Sequence, residues 1–290
     1  MKKLWLAFIL MVILGGVLFF WGNILNFYAK LSLKLPDIER SINYRIVQEI
    51  EKQVSTPPPL RSSKEEAQSF LTRPGVIIFT NIEREKFGLP PLKENAKLDS
   101  SADIKAKDML NKQYFAHESP SSIGVVDLAK TVGYDFIEIG ENLALGNFKD
   151  DQTLVQAWMD SPGHRANILN PQHQEIGVSV VRGTFEGKIT WFAVQHFGFP
   201  LSACLQPSQN LKTEIDLNQS QIQKLQANLD SLKNEIQNMR PKPRAVYNQK
   251  IEEYDNLVSR YNSLVAETKV LINQYNNEVQ GFNSCVSVAK

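Results

Sequence analysis

A heptad pattern in the C-terminal third constrains the fold of this 290-residue chain more than any other feature. Between residues 211 and 282, apolar side chains recur at two positions of every seven, which is typical of helices that pack as a coiled coil. One row in the first half consists of Ile215, Ile222, Leu229 and Ile236, and one row in the second half consists of Ile251, Val258, Val265, Ile272 and Val279. Pro241 and Pro243 interrupt the pattern, and proline ends a helix because it lacks the N–H. The sequence therefore predicts an antiparallel coiled-coil helical hairpin over residues 204–286.

The two cysteines support this geometry. Cys204 and Cys285 lie symmetrically about the proline break, so folding the hairpin there brings them together at its open end. Two unrelated free thiols are the alternative, and they would show this symmetry only by accident. The spacing predicts a disulfide, which indicates an oxidising compartment. Two cysteines are also too few for a four-cysteine zinc site or a small disulfide-rich scaffold.

A third apolar row lies beside the seam of the second helix. It consists of Leu257, Leu264 and Leu271. Because a two-helix hairpin cannot bury three rows, we expect another surface to cover this one. The candidates are the globular domain, a second hairpin in a homo-oligomer, and a partner protein.

The N-terminus predicts a membrane anchor. Residues 4–21 contain no charged side chain, and about 20 apolar residues span the hydrocarbon core of a bilayer. We therefore expect residues 1–25 to form a transmembrane helix. A cleaved signal peptide is the alternative, but no small-x-small cleavage site follows the apolar run. The flanking charges are nearly balanced, yet long C-terminal domains translocate largely regardless of charge. We expect a single-pass protein with a cytoplasmic N-terminus and an extracytoplasmic bulk.

Residues 26–73 are predicted to be a stalk. Isoleucine recurs every four residues from Ile38 to Ile50, which suggests a short amphipathic helix. The run Pro57-Pro58-Pro59 then favours an extended spacer, because consecutive prolines cannot continue a helix. This segment is expected to hold the following domain away from the membrane.

Residues 74–202 have the composition of a globular domain. Helical patterns come first and β-branched, aromatic strands come last, which favours an α+β fold. The whole chain has 32 Lys and Arg against 31 Asp and Glu, a net charge of +1. It lacks the basic excess that binding to a phosphate backbone uses, so we expect no nucleic-acid partner.

The candidate chemistry lies in this domain, which contains all four histidines. They are His117, His164, His173 and His196. Imidazoles beside carboxylates can bind a divalent cation such as zinc or act as an acid–base pair. Spacing does not show that these groups converge, so a structural role stays equally open. The chain contains no Gly-x-Ser-x-Gly elbow, no His-Glu-x-x-His helix and no phosphate loop.

Several stretches of the domain together resemble a known family. They are Phe115-Ala-His117, Gly140-Glu-Asn-Leu-Ala144, Trp158 through Gly163-His164-Arg-Ala-Asn-Ile-Leu169, Glu175-Ile-Gly-Val178 and Trp191 to Gly198. Their order and separations resemble the CAP superfamily (cysteine-rich secretory proteins, antigen 5 and pathogenesis-related proteins) in its bacterial form. The resemblance implies an α-β-α sandwich, secretion or surface display, and a cleft with two histidines and two acidic residues that can hold a metal ion.

By position, His117 and His164 match the cleft histidines, and Glu141 matches the acidic residue of the Gly-Glu-Asn motif. These three are the metal ligands that the resemblance implies, for zinc or a similar ion, and the catalytic residues if the protein is an enzyme. The fourth position departs from the family pattern, because Ser161 stands where the eukaryotic proteins have Glu. Asp160 and Glu175 are weaker candidates for that ligand.

We expect other roles for the remaining two histidines. We expect His173, in the loop between a helix and the hairpin of strands, to be a solvated surface residue. We expect His196, in the last strand, to be structural, with a place beside the cleft left open.

We therefore expect a membrane-anchored extracytoplasmic CAP-domain protein that binds a protein or lipid ligand rather than an enzyme. One alternative is a metal-assisted, peptidase-like hydrolase that uses His117, Glu141 and His164 at the cell surface. A second is a structural protein that assembles through the coiled coil, for example as a homo-oligomer.

Overall fold

The computed structural model describes Val47 and residues 50–62, 66–241 and 243–287. The predicted anchor over residues 1–25 and most of the predicted amphipathic helix before Ile50 lie outside these ranges. Among the helices within them, none combines the length and apolar composition that a membrane crossing requires. The described residues fall into two compact units. The first holds Val47–Gln206 and the residues from Val279 onward, and the second holds Pro207–Glu278.

The first unit is built around one mixed sheet. In chain order its elements are β1 (Gln53–Ser55), β2 (Leu60–Arg61), α1 (Arg73–Lys86), β3 (Lys93–Glu94), α2 (Ala96–Lys112), α3 (Val125–Thr131), β4 (Phe136–Leu145), α4 (Asp151–Asp160), α5 (Pro162–Ile168), β5 (Glu175–Phe185) and β6 (Lys188–Pro200). The strand order is β1-β4-β6-β5-β3, and β2 also pairs with β4. The long strands β4, β6 and β5 are antiparallel, whereas the three short strands add parallel to them.

Helices cover both faces of this sheet. Trp191 and Ala193 of β6 pack with α1, α4 and α5, whereas Phe192 and Val194 pack with α2 on the opposite face. This alternation follows from the two-residue period of a strand, in which successive side chains point to opposite faces. It explains why consecutive residues of β6 from Trp191 to Val194 are all apolar, because both faces of this part of the strand are covered. The predicted mixed fold of helices and sheet is confirmed.

The proline-rich segment differs from the predicted free spacer. Residues 53–61, which we call the strap, are extended as expected, but they pair with β4 through β1 and β2. A chain without regular apolar alternation can still form an edge strand, because proline is tolerated where one side of the backbone needs no partner. The strap is therefore part of the sheet at the place where β4 carries Glu141.

The second unit contains two long helices, α6 (Gln209–Asn238) and α7 (Arg244–Ser287), and α7 continues into the first unit. The chain reverses between them, since Lys250 Nζ binds Glu235 Oε2 at 3.0 Å. Apolar residues of both helices form one cluster, with Leu229 and Tyr254 fully buried at its centre. Its classification as a coiled coil stays a prediction.

The predicted disulfide joins Cys204 to Cys285, with the two Cα atoms 5.7 Å apart. It lies within the first unit, beside a small apolar cluster that includes Ile137, Phe199 and Phe282. Cys204 is only 1% exposed, so the bond is shielded from solvent on that side.

Candidate functional site

Cross-strand register places the central carboxylate of the site. Glu141 of β4 lies directly opposite His196 of β6, and Asn142 lies opposite Gln195. Because side chains alternate along a strand, Glu141 and His196 point to the face covered by α2, while Asn142 and Gln195 point to the other face. The site therefore consists of two polar networks on opposite sides of the same pair of strands.

Glu141 is fully buried and is bound by two imidazoles. His117 Nδ1 lies 2.6 Å from Oε1, and His196 Nε2 lies 2.8 Å from Oε2. Burial by itself would raise the pKa of Glu141. The hydrogen bonds from both histidines, with the positive charge of Lys105, lower that pKa instead to about 2. Glu141 is thus an ionised carboxylate whose two oxygens both already accept hydrogen bonds.

Ser101 extends this network into α2. Its Oγ lies 2.6 Å from His196 Nδ1, so Ser101, His196 and Glu141 follow one another in the order of a serine–histidine–acid triad. All three side chains are fully buried, however. A nucleophile must reach its substrate, so in this conformation the series works as a structural relay that holds Glu141.

His117 is fixed on both sides. Its Nε2 lies 2.5 Å from the carbonyl oxygen of Pro57 in the strap, and its own carbonyl accepts a hydrogen bond from Lys105 Nζ. Lys105 is 1% exposed, and burial lowers its pKa. This buried lysine positions the loop that presents His117 to Glu141.

His164 approaches from α5, on the other side of β4. Its Nδ1 lies 2.8 Å from Ser161 Oγ, and its Nε2 is buried with no hydrogen-bond partner among the described residues. Burial, and then the positive charge of His117, lower the pKa of His164 to about 4. The side chain is therefore neutral at neutral pH.

The second network lies under α5. Asn167 Nδ2 donates to Asn142 Oδ1 at 2.9 Å, Asn142 Nδ2 donates to Gln195 Oε1 at 3.2 Å, and Gln195 Nε2 donates to Thr80 Oγ1 at 2.7 Å. Asn142 also donates to the carbonyl of His164 at 3.2 Å. These amides fix α5 on the sheet and so fix the position of His164.

The predicted metal ligands are brought together only in part. His117 and Glu141 are in contact, but the two oxygens of Glu141 are already bound by imidazoles. Asp160 is exposed and binds Gln156, and Glu175 binds the hydroxyl of Tyr134 at 2.8 Å, so neither joins the site. Within the described ranges, no group of three or more His, Cys, Asp or Glu side chains is arranged to hold a metal ion. In this arrangement the residues do not fit a metal centre, and metal binding stays a prediction.

The structure corrects the expectation for His173. This side chain is 1% exposed rather than solvated, because its ring stacks on Phe197 at 5.3 Å and its Nδ1 donates to the carbonyl of Asn167. Burial lowers its pKa to about 4. Sequence reasoning also missed Ser101, Lys105 and Pro57. Ser101 and Lys105 are polar residues four positions apart on a helix and resemble a solvated face, and Pro57 lies in a proline run, so no local signal marked them as site residues.

Comparison with known proteins identifies the fold around this site. Residues 78–197 match the model of the cysteine-rich secretory protein family, CAP. The chain is 45% identical over 106 residues to the uncharacterized protein YkwD of Bacillus subtilis (strain 168), which is 37% of this chain and 41% of YkwD. It is 33% identical over 107 residues to the uncharacterized membrane protein YlbC of the same organism, which is 37% of this chain and 31% of YlbC. The chain thus spans well under half the length of these relatives.

Among solved structures, partial similarity extends to an extracellular protein containing a SCP domain from Bacillus anthracis str. Ames, at 31% identity and a TM-score of 0.38, covering 43% of this chain and 39% of that one. An outer surface protein from Borrelia burgdorferi is 21% identical with a TM-score of 0.37, covering 43% of this chain and 90% of that one. On the family match, residues 78–197 are identified as a CAP domain.

Proposed function

We propose that this chain is a membrane-anchored, extracytoplasmic CAP-domain protein that acts by binding a partner rather than by catalysis. The observation that carries this proposal is that Glu141 is fully buried and is bound by two imidazoles. A general base needs a free acceptor beside the water or substrate that it deprotonates. Both oxygens of Glu141 are instead bound by His117 and His196, and the remaining nitrogen of His117 faces the carbonyl of Pro57. Glu141 therefore has no exposed acceptor for a general-base role in this conformation.

The extracytoplasmic location is supported by the bond between Cys204 and Cys285, since disulfides persist in oxidising compartments. The apolar run of residues 4–21 supports a membrane anchor, and the relative YlbC is named a membrane protein. In this proposal α6 and α7 form a coiled-coil hairpin that presents the domain or assembles copies of it.

A metal-assisted hydrolase is the second candidate function. One observation favours it, the serine–histidine–acid order of Ser101, His196 and Glu141. Burial of these three residues opposes it, because no substrate reaches Ser101 in this conformation.

A hydrolysis assay separates the two functions. The full chain, reconstituted in detergent micelles with and without zinc, is incubated with casein, p-nitrophenyl esters and cell-wall fragments. We expect the same background rate for the wild type, His117→Ala and His164→Ala. Asp160→Ala is the matched control, because Asp160 is exposed and its hydrogen bond is with Gln156 rather than with a residue of the site. A wild-type rate that falls at least tenfold in both histidine variants, but not in the control, would overturn the binding proposal.

A further inference from the structure

We propose that the edge of β4 between Gly140 and Ala144 is a binding groove for an extended, proline-containing peptide, and that the strap occupies this groove in cis. This inference rests on the proposed function, because it names the ligand class and the regulation of the same site. It assigns a role to residues 53–61 that a simple membrane tether would not have.

The pairing register shows that the strap arches over the site. Ser55 pairs with Gly140 and Leu60 pairs with Ala144, so five steps along the strap oppose four steps along β4. The extra residue forces the strap away from β4 at Glu141. Pro57 lies at this arch, and its carbonyl oxygen is the group that His117 contacts.

The site recognises the backbone of the strap. His117 Nε2 binds the carbonyl of Pro57, and Asn167 Nδ2 donates to the carbonyl of Ser55 at 3.3 Å. Together with the strand pairing, these contacts would be available from any extended peptide. Addition of a strand to a sheet edge is a general mode of peptide recognition, in which the main chain supplies affinity and side-chain pockets supply specificity.

One side chain of the strap has such a pocket. Pro57 is buried, whereas its neighbours Thr56 and Pro58 are exposed. The ring of Pro57 lies against Gly163 at the start of α5, where an added Cβ would come within 2.6 Å of the Cβ of Pro57. Gly163 therefore leaves the space that the proline ring fills. The groove therefore has room for a proline ring but not for a larger side chain at this position, and proline fills the space best.

The strap is held weakly enough to be exchanged. Its two strands have three and two residues, and the side chain of Val54, in the middle of β1, is 48% exposed. Short edge strands with little apolar burial open at low free-energy cost. A tethered segment competes at an effective concentration on the order of millimolar, so the intact strap excludes a free peptide of similar affinity. Weakening the strap should therefore expose the groove to a peptide added in trans.

The test uses the full chain in detergent micelles and a fluorescein-labelled peptide with the sequence of residues 51–62, followed by fluorescence anisotropy. Pro57→Gly removes the ring from the cis strap but not from the added peptide. We expect this variant to bind the peptide at least tenfold more tightly than the wild-type chain does. Pro58→Gly is the matched control, and we expect it to bind as the wild type does, because Pro58 is exposed.

A second variant tests the pocket itself. In the double variant Pro57→Gly with Gly163→Ala, the added methyl group fills the space for the proline ring. We expect this variant to lose the gain in peptide affinity. Alanine is favoured over glycine inside a helix, so this change should not harm α5. Hydrogen exchange on the wild-type chain gives an independent readout: excess unlabelled peptide should speed exchange in residues 53–61 and leave β6 unchanged.

The inference is overturned if Pro57→Gly and Pro58→Gly bind the peptide equally, or if Gly163→Ala leaves binding intact. Mass spectrometry of the same mixtures separates this failure from that of the proposed function. Binding followed by cleavage of the peptide would contradict the binding-only proposal and support the groove. Absence of binding to every variant would overturn the groove and leave a binding module for another ligand.

Discussion

The buried, neutral His173 predicts a specific loss of stability in acid. The pKa of His173 is lowered from 6.5 to about 4. Burial is the largest cause and the positive charge of Arg84 acts in the same direction, whereas the hydrogen bond to the Asn167 carbonyl opposes them. Because the folded pKa lies below the unfolded value, the unfolded chain binds more protons between pH 4 and 6.5. Stability is therefore highest above the unfolded pKa and falls as the pH drops through this window.

The magnitude follows from the two pKa values. One pKa unit corresponds to about 1.4 kcal/mol, so His173 should lower the free energy of unfolding by about 2 kcal/mol between pH 7 and pH 5. His173→Gln keeps a donor for the Asn167 carbonyl and does not titrate in this range. We expect the variant to be less stable at neutral pH, because it loses the ring contact with Phe197, but to lose about 2 kcal/mol less than the wild type on acidification.

Urea unfolding of the full chain at both pH values measures this difference. The fluorescence of Trp158 and Trp191, which are buried in the same unit, reports the transition. His164 also has a pKa lowered to about 4, but it is present in both proteins and its contribution cancels. If the wild type and His173→Gln lose the same free energy within about 0.5 kcal/mol, the reasoning from burial is refuted.

Three further changes test other parts of the structure. Reduction of the bond between Cys204 and Cys285, which closes a loop of 81 residues, should cost about 4 kcal/mol, measured as a lower melting temperature with dithiothreitol than without it. Arg84→Met should cost about 3 kcal/mol or more in urea unfolding, because the buried guanidinium donates to four carbonyls between Pro90 and His173; an unchanged midpoint would show that water replaces it. Leu229→Ala should cost about 3 kcal/mol by removing a fully buried side chain from the hairpin cluster, seen in the far-UV circular dichroism melt, whereas Leu217→Ala at an exposed position should change little.

Much of the fold could be predicted where local patterns decide it. Helix α4 begins at Asp151, directly after Asp150, whose side chain caps the first turn and is a local sequence signal. The β-branched and aromatic residues that predict strands at the end of the domain lie in β5 and β6. The cysteine pairing was predictable because the proline break defined the symmetry of the hairpin.

The site was harder to predict because it depends on register and on distant segments. The contact between Glu141 and His196 joins residues 55 positions apart, and no local pattern specifies which residues of two strands lie opposite each other. His173 lies in a polar loop, and only its packing against Phe197 shows that its side chain is buried. The arch at Pro57 depends on one extra residue between two short pairings, which proline-rich composition alone cannot reveal.

The disulfide also changes how the hairpin responds to mechanical load and to cleavage. Cys204 precedes α6 and Cys285 lies near the end of α7, so the whole hairpin forms a covalently closed ring with the bond at its base. A force applied near the turn between the helices would be shared by two polypeptide arms, because both return to the same covalent junction. A protease that cuts in the turn would leave the two fragments joined through the disulfide, so a single cut does not release either helix.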